Sequence, residues 1–156
     1  MTSHPDQIAL VTGAATRIGA AIARRLAGAG FAVVIHHRSK PDEAEALAAG
    51  IRESGARAAT VQSDLANRAQ RAGTIAAAAQ HFGPLTLLVN NASSFDRDSA
   101  RDLDETLWDQ HFVIHAEAPA FLARDFAAQL PKDTKGNIIN LIDDRVLDLS
   151  PAFFSY

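Results

Sequence analysis

The fold predicted by this sequence is α/β, a doubly wound parallel sheet, and three observations predict it. Short apolar runs alternate with longer alanine-rich amphipathic stretches, the pattern of successive βαβ units. The runs are no more than six residues long and rich in Val, Ile or Leu, as strands buried on both faces are. Gly30, Gly55 and Gly83 follow the first three helical stretches where a left-handed residue closes a helix, and Pro84 then bars continuation.

Taken in order, the runs place strands at 8–12, 31–36, 58–62, 85–90 and 137–142. The stretches between them predict helices over 17–29, 41–54, 67–82 and 105–130. A chain of 156 residues is long enough for one domain with a proper core and too short for two. Its composition, 47% hydrophobic and 21% charged, is that of an ordinary globular protein. The formal net charge of −3 gives no reason to expect nucleic acid or an anionic membrane as partner. The absence of cysteine rules out disulfides and thiolate metal sites, and no metal is expected. Residues 1–6 lack a basic stretch leading into an apolar one, and no apolar run is long enough to span a bilayer. A cytoplasmic enzyme acting on a small molecule is the expectation.

The first strand runs directly into Thr12-Gly13-Ala14-Ala15-Thr16-Arg17-Ile18-Gly19 and then a helix. A turn without bulky side chains lets backbone amides approach a pyrophosphate, and the helix N-terminus adds partial positive charge. The glycine spacing is looser than the simple dinucleotide pattern, with Arg17 where a middle glycine would stand, so an ordinary tight turn is the rival reading. The end of the second strand tells which dinucleotide is expected. An NAD site carries an acid there for the ribose 2′-hydroxyl. This chain has His36-His37-Arg38-Ser39-Lys40, with no carboxylate before Asp42. Arg38 offers a multi-donor fork and Ser39 a hydroxyl to a 2′-phosphate, which favours NADP(H) over NAD(H); a solvated basic loop is the alternative. Asp64-Leu65 ends the third strand and Asn90-Asn91-Ala92-Ser93-Ser94-Phe95 the fourth, at the carboxyl ends where ligands of open α/β sheets collect. Asp64 is placed either to accept from the adenine amino group or to cap the next helix. Ala92 and Ser93 are small enough to let the backbone lie against the nicotinamide ribose.

Together with Tyr156, the Gly13–Gly19 turn, Asp64 and Asn90-Asn91-Ala92 resemble the short-chain dehydrogenase/reductase family over the whole chain. Within it, Arg17-Ile18-Gly19, His37-Arg38-Ser39 and Asn91-Ala92-Ser93-Ser94-Phe95 are similar to the pteridine reductases and the dihydromonapterin or dihydrofolate reductase-type enzymes. That resemblance implies a Rossmann-type NADP(H) domain and hydride transfer to a pterin-like substrate. It implies cofactor contacts from Gly13, Arg17, Ile18, Gly19, His37, Arg38, Ser39, Asp64, Leu65, Asn91, Ala92 and Ser93. Arg17 and Ser93 would also touch the substrate, and Phe95 would stack on its ring; simple loop packing is the other reading of Phe95.

Tyr156 takes the place of the family's general acid, and the position thirteen residues earlier, usually Ser, is Asp143. A carboxyl kept neutral by an apolar pocket could supply the proton that reduction of a C=N bond requires; a merely polar strand end at Asp143-Asp144 is the bland alternative. A further family position, usually Asn, falls on His115, four residues before Pro119. Proline cannot donate to the His115 carbonyl, which leaves that oxygen for a relay water or simply bends the helix. The lysine expected one helical turn beyond Tyr156 would lie past the end of the sequence. With five strands where such folds have six or more, the expectation is one domain over 1–156, incomplete at its C-terminus. A carbonyl reductase with an unusual acid and a non-catalytic dinucleotide-binding fragment are the rival functions. The resemblance also implies a homo-oligomer, dimer or tetramer, for the full-length protein.

Overall fold

The computed structural model describes residues 7–156; the reading of residues 1–6 as free of a leader lies outside them. Five strands form one parallel sheet: β1 (Ile8–Val11), β2 (Ala32–His37), β3 (Ala58–Gln62), β4 (Leu87–Asn90) and β5 (Asn137–Asn140). Their order is β3-β2-β1-β4-β5. The chain therefore winds outward from β1 in one direction, then returns to β1's other edge through β4. That reversal lies between β1 and β4, where a crevice opens at the carboxyl ends of the strands.

The period-2 alternation of the strands divides the core into two layers. On one face Ala9, Val11, Val33 and Ile35 pack with Ala20, Ala23, Ala44, Leu47 and Ile51, from α1 (Arg17–Gly28) and α2 (Pro41–Glu53). On the other, Ile8, Leu10, Val34 and Leu88 meet Ile75 and Ala78 of α3 (Arg68–Phe82) together with Leu122 and Phe126. Alanine dominates the helix faces, so the rods lie close to the sheet, and small side chains leave little rotamer entropy to lose.

The predicted helix 105–130 is a single rod in direction but not in winding. It consists of α4 (Glu105–Phe112), a π turn (Val113–Glu117) and α5 (Ala118–Gln129). Pro119 supplies the local reason: it has no N–H to donate, and the π turn precedes it, closed by the Ala118 N–H bonding the Val113 carbonyl. Glu117, on this turn, accepts from Arg71 and Arg68 at 2.7 Å each and so ties α3 to the rod. The fifth strand is shorter than predicted; after Asn140 the chain leaves the sheet, and Asp144–Val146 forms a 3-10 turn. Among the described residues, no helix is long and apolar enough to cross a membrane.

Candidate functional site

The bend after β1 is fixed by hydrogen bonds from three strands. Gly13 has φ +61°, and a Cβ there would lie 2.9 Å from the Ala92 Cα; a Cβ on Gly19 would lie 2.6 Å from both the Asn91 Nδ2 and the Gly13 carbonyl. Glycine is demanded at both positions by the tight approach of β4's end. The Gly13 N–H donates to His36 Nδ1 at 3.0 Å. That leaves the proton on Nε2, which faces the Ser63 carbonyl and hydroxyl at 3.0 Å each. Burial therefore lowers His36 to about 4, and the ring stays neutral as a brace between the bend and β3.

Thr12 and Asn91 complete the brace. The Asn91 and Ala92 amides donate to Thr12 Oγ1 at 2.9 and 3.0 Å, and Asn91 Nδ2 donates to the carbonyls of Thr12 and Gly13. Asn91, expected as a cofactor contact, also uses its side-chain donors to hold the bend. Arg17 has φ +55°, the left-handed conformation natural to the glycine whose place it takes. The start of α1 has no capping side chain, whereas Asn67 caps α3 and Asp104 caps α4. Asp64 caps no helix; its Oδ1 accepts from the Ala66 amide in a local turn.

A crevice of about 1920 Å³ runs from this bend across the sheet's carboxyl edge, and every residue the sequence nominates lines it. Gly13, Arg17, Ile18, Gly19, His37, Arg38, Ser39, Asp64 and Leu65 form one end; Asn91, Ala92 and Ser93 form the middle; Phe95, His115, Asp143 and Tyr156 form the other. Arg38 is exposed, and among the described residues no carboxylate pairs with it. His37 Nδ1 is buried without a partner.

At the far end the Tyr156 hydroxyl donates to Asp143 Oδ2 at 3.2 Å. The Arg145 amide, then the Asp144 side chain and Tyr156, hold Asp143 below the usual carboxylate range. Against the expectation of a neutral Asp143, the Arg145 amide and the Tyr156 hydroxyl both donate to it, so the carboxylate is an acceptor and Tyr156 carries the proton. His115 Nε2 receives the Ser94 amide at 3.2 Å and lies 3.1 Å from Ser93 Oγ. Burial, and then the neighbouring His111, lower its proton affinity, so the ring is neutral with its proton on Nδ1, a buried atom without a partner. Tyr156 stands edge-on to His115 (4.9 Å, 90°) and to Phe95 (4.8 Å, 74°). Phe95 stacks on Phe153 at 4.3 Å, and the Arg145 guanidinium lies over both rings.

Two buried residues behind this wall escaped the sequence reading. His111 Nδ1 lies 2.7 Å from Ser155 Oγ, and Asp98 accepts the Ser155 amide at 3.0 and 3.2 Å. Spacing of four with His115 puts His111 on the same helical face and was a usable signal; for Asp98 no local pattern existed.

Comparison with known proteins accords with this geometry. The sequence model of the short chain dehydrogenase family matches residues 7–156. The crystal structure of FolM alternative dihydrofolate reductase 1 from Brucella canis, complexed with NADP, is 45% identical with a TM-score of 0.93, covering 99% of this chain and 61% of that one. The angucycline-type landomycin C-6 ketoreductase LanV, with bound NADP and rabelomycin, is 29% identical with a TM-score of 0.89, covering 97% of this chain and 63% of that one. An uncharacterized oxidoreductase of Methylorubrum extorquens is 33% identical over 141 residues, 90% of this chain and 56% of its own. The chain thus spans between 56% and 63% of the length of these three proteins. With the family match running from the first described residue to the last, the chain belongs to the short-chain dehydrogenases.

Proposed function

We propose that this chain is the dinucleotide-binding part of an NADPH-dependent reductase acting on a dihydropterin-like substrate. The observation that carries the reading is the continuity of one crevice, with phosphate-binding chemistry at one end and a Tyr156–Asp143 proton site at the other.

The residues fit NADP(H). The uncapped start of α1 offers amides and partial positive charge to a pyrophosphate. Arg38 and Ser39 would take the 2′-phosphate, and among the described residues no carboxylate forms an ion pair with Arg38. His37, Leu65, Asp64 and Ala92 would line the adenosine and ribose path. When bound, the nicotinamide supplies a hydride. The chain's own residues do the rest. Tyr156 Oη holds the transferable proton, and Asp143 orients that hydroxyl by accepting from it. His115, neutral and accepting from the Ser94 amide, keeps a donor at Nδ1 facing no protein acceptor, a place suited to one water. Phe95 would hold a flat heteroaromatic ring, exchanging its stacking partner Phe153 for the ligand. The likeness to the Brucella reductase supports this substrate class.

The similarity to a ketoreductase supports a second reading, reduction of a carbonyl by the same proton site. One experiment separates them: oxidation of NADPH and NADH by the complete gene product, with 7,8-dihydropterins and simple ketones offered in parallel. Turnover of dihydropterins with NADPH preferred is the expected result; ketone turnover alone replaces the first reading with the second. Self-association is also proposed. Leu122 and Phe126 of the long rod are buried in the core, while Trp108, Phe112 and Phe121 stay 36–49% exposed, a face available to another subunit.

A further inference from the structure

We infer that Asp98 and His111 are positioning residues that set the proton donor Tyr156 by gripping the residue before it, Ser155. Both lie outside the crevice, and both are buried, with 7% and 0% of their surface exposed. The grip has a definite polarity. His111 Nε2 lies 3.4 Å from the Asp96 amide, which can only donate, so the ring's proton is on Nδ1. Nδ1 therefore donates to Ser155 Oγ at 2.7 Å. With its lone pair so used, the Ser155 hydroxyl keeps its own hydrogen free to turn elsewhere. The Ser155 backbone amide donates to both Asp98 oxygens, and the Asp98 amide donates to the Ala152 carbonyl at 3.2 Å.

Ser, His and Asp meet here as in a hydrolase, but the direction of the bonds excludes that chemistry. A nucleophilic serine needs a histidine with a free acceptor nitrogen towards it. Here the nitrogen facing Ser155 is the one that carries hydrogen. The cluster accordingly fixes backbone and side chain at 155. The adjoining Tyr156 ring is then held against His115 and Phe95 with its hydroxyl on Asp143. Loops bearing reactive groups tolerate little displacement, since about 1 Å of misplacement can cost on the order of a hundred-fold in rate.

The inference rests on Tyr156 being the proton donor of the proposed reaction, and its test separates the two. In the complete gene product, Asp98→Ala, Asp98→Asn, His111→Asn and Ser155→Ala are compared with wild type by kcat, KM, NADPH dissociation constant and amide hydrogen exchange at Ser155. Asp98→Ala is expected to lower kcat about 30-fold or more and speed Ser155 exchange at least ten-fold, with NADPH affinity unchanged within two-fold. Asp98→Asn, which keeps an acceptor oxygen, and His111→Asn, which keeps a donor near Nδ1, are expected to recover most of kcat. Ser155→Ala, a small change least able to unfold the protein, should lose three- to ten-fold. Faster exchange with unaltered kcat overturns the inference, as does a parallel fall in kcat and NADPH affinity. If wild type ignores dihydropterins but reduces ketones, the pterin reading fails while the same ratios measured on the ketone still decide the grip.

Discussion

The two ends of the crevice are built differently. At the dinucleotide end the bend rides on strands whose core residues, Val11 and Ile35 among them, are fully buried, and backbone groups from β1, β2, β3 and β4 brace it through Thr12, His36 and Asn91. At the reaction end the chain has left the sheet. Polar ties at Asp98, His111 and Asp143 hold it there. The contrast teaches that affinity and chemistry have separate structural supports. On the proposed function, the phosphate end is shaped in advance by these bonds, whereas the proton site depends on side chains drawn from distant parts of the sequence.

Four measurements would break or sharpen this division, beginning with the greatest effect. Tyr156→Phe in the complete protein should lower kcat about a thousand-fold and leave the NADPH dissociation constant nearly unchanged; loss of binding instead would show the two ends to be coupled. The second concerns acid. His36 in the folded chain titrates at about 4 rather than 6.5 because it is buried. Between those values the unfolded chain binds the proton and the folded one does not, so stability is full above pH 6.5 and falls as the pH drops towards 4. The ceiling is roughly 3 kcal/mol, and denaturant unfolding of wild type against His36→Asn should show a flatter profile in the variant. An identical pH dependence in the two would remove His36 from its role as brace.

Third, Arg38→Ala should weaken NADPH binding by about 2 kcal/mol, some ~30-fold, and NADH binding by less than two-fold. Equal losses for both coenzymes, measured by fluorescence titration, would assign the 2′-phosphate to other residues. The smallest effect is Arg17→Gly. Relief of the left-handed backbone, partly offset by unfolded-state entropy, should add about 1 kcal/mol and raise Tm by roughly 3 °C while weakening ligand binding. A lower Tm would mean that the Arg17 side chain contributes more than its conformation costs.

The fold was legible because its determinants are local and repetitive. Strand runs and alanine-rich helices report their period directly, and Gly30, Gly55 and Gly83 all have positive φ as their placement implied. The residues expected at the cofactor end rest on local context too, at strand ends and at the start of α1. The reaction end was read only in part. The family resemblance pointed to Tyr156 and Asp143, which the fold brings into contact, but it could not give the protonation of Asp143, which depends on the Arg145 amide of its own turn. Asp98 had no local signal, and His111 had only its spacing of four from His115; their partner Ser155 lies 57 and 44 residues away. That Asn91 also holds the bend was not legible, because the carbonyls it serves, 79 and 78 residues earlier, approach it only after the sheet closes.

The wide turn at Val113–Glu117 holds one residue more than an α-helix would use. Each residue of an α-helix advances the face by about 100°. In a regular α-helix one added residue would swing His111 by about that angle relative to Leu122 and Phe126; the wide turn takes up the extra residue within itself and so spares most of that rotation. This turn is therefore a phase absorber, through which the half of the rod facing the reaction stays clocked to the half anchored in the interior.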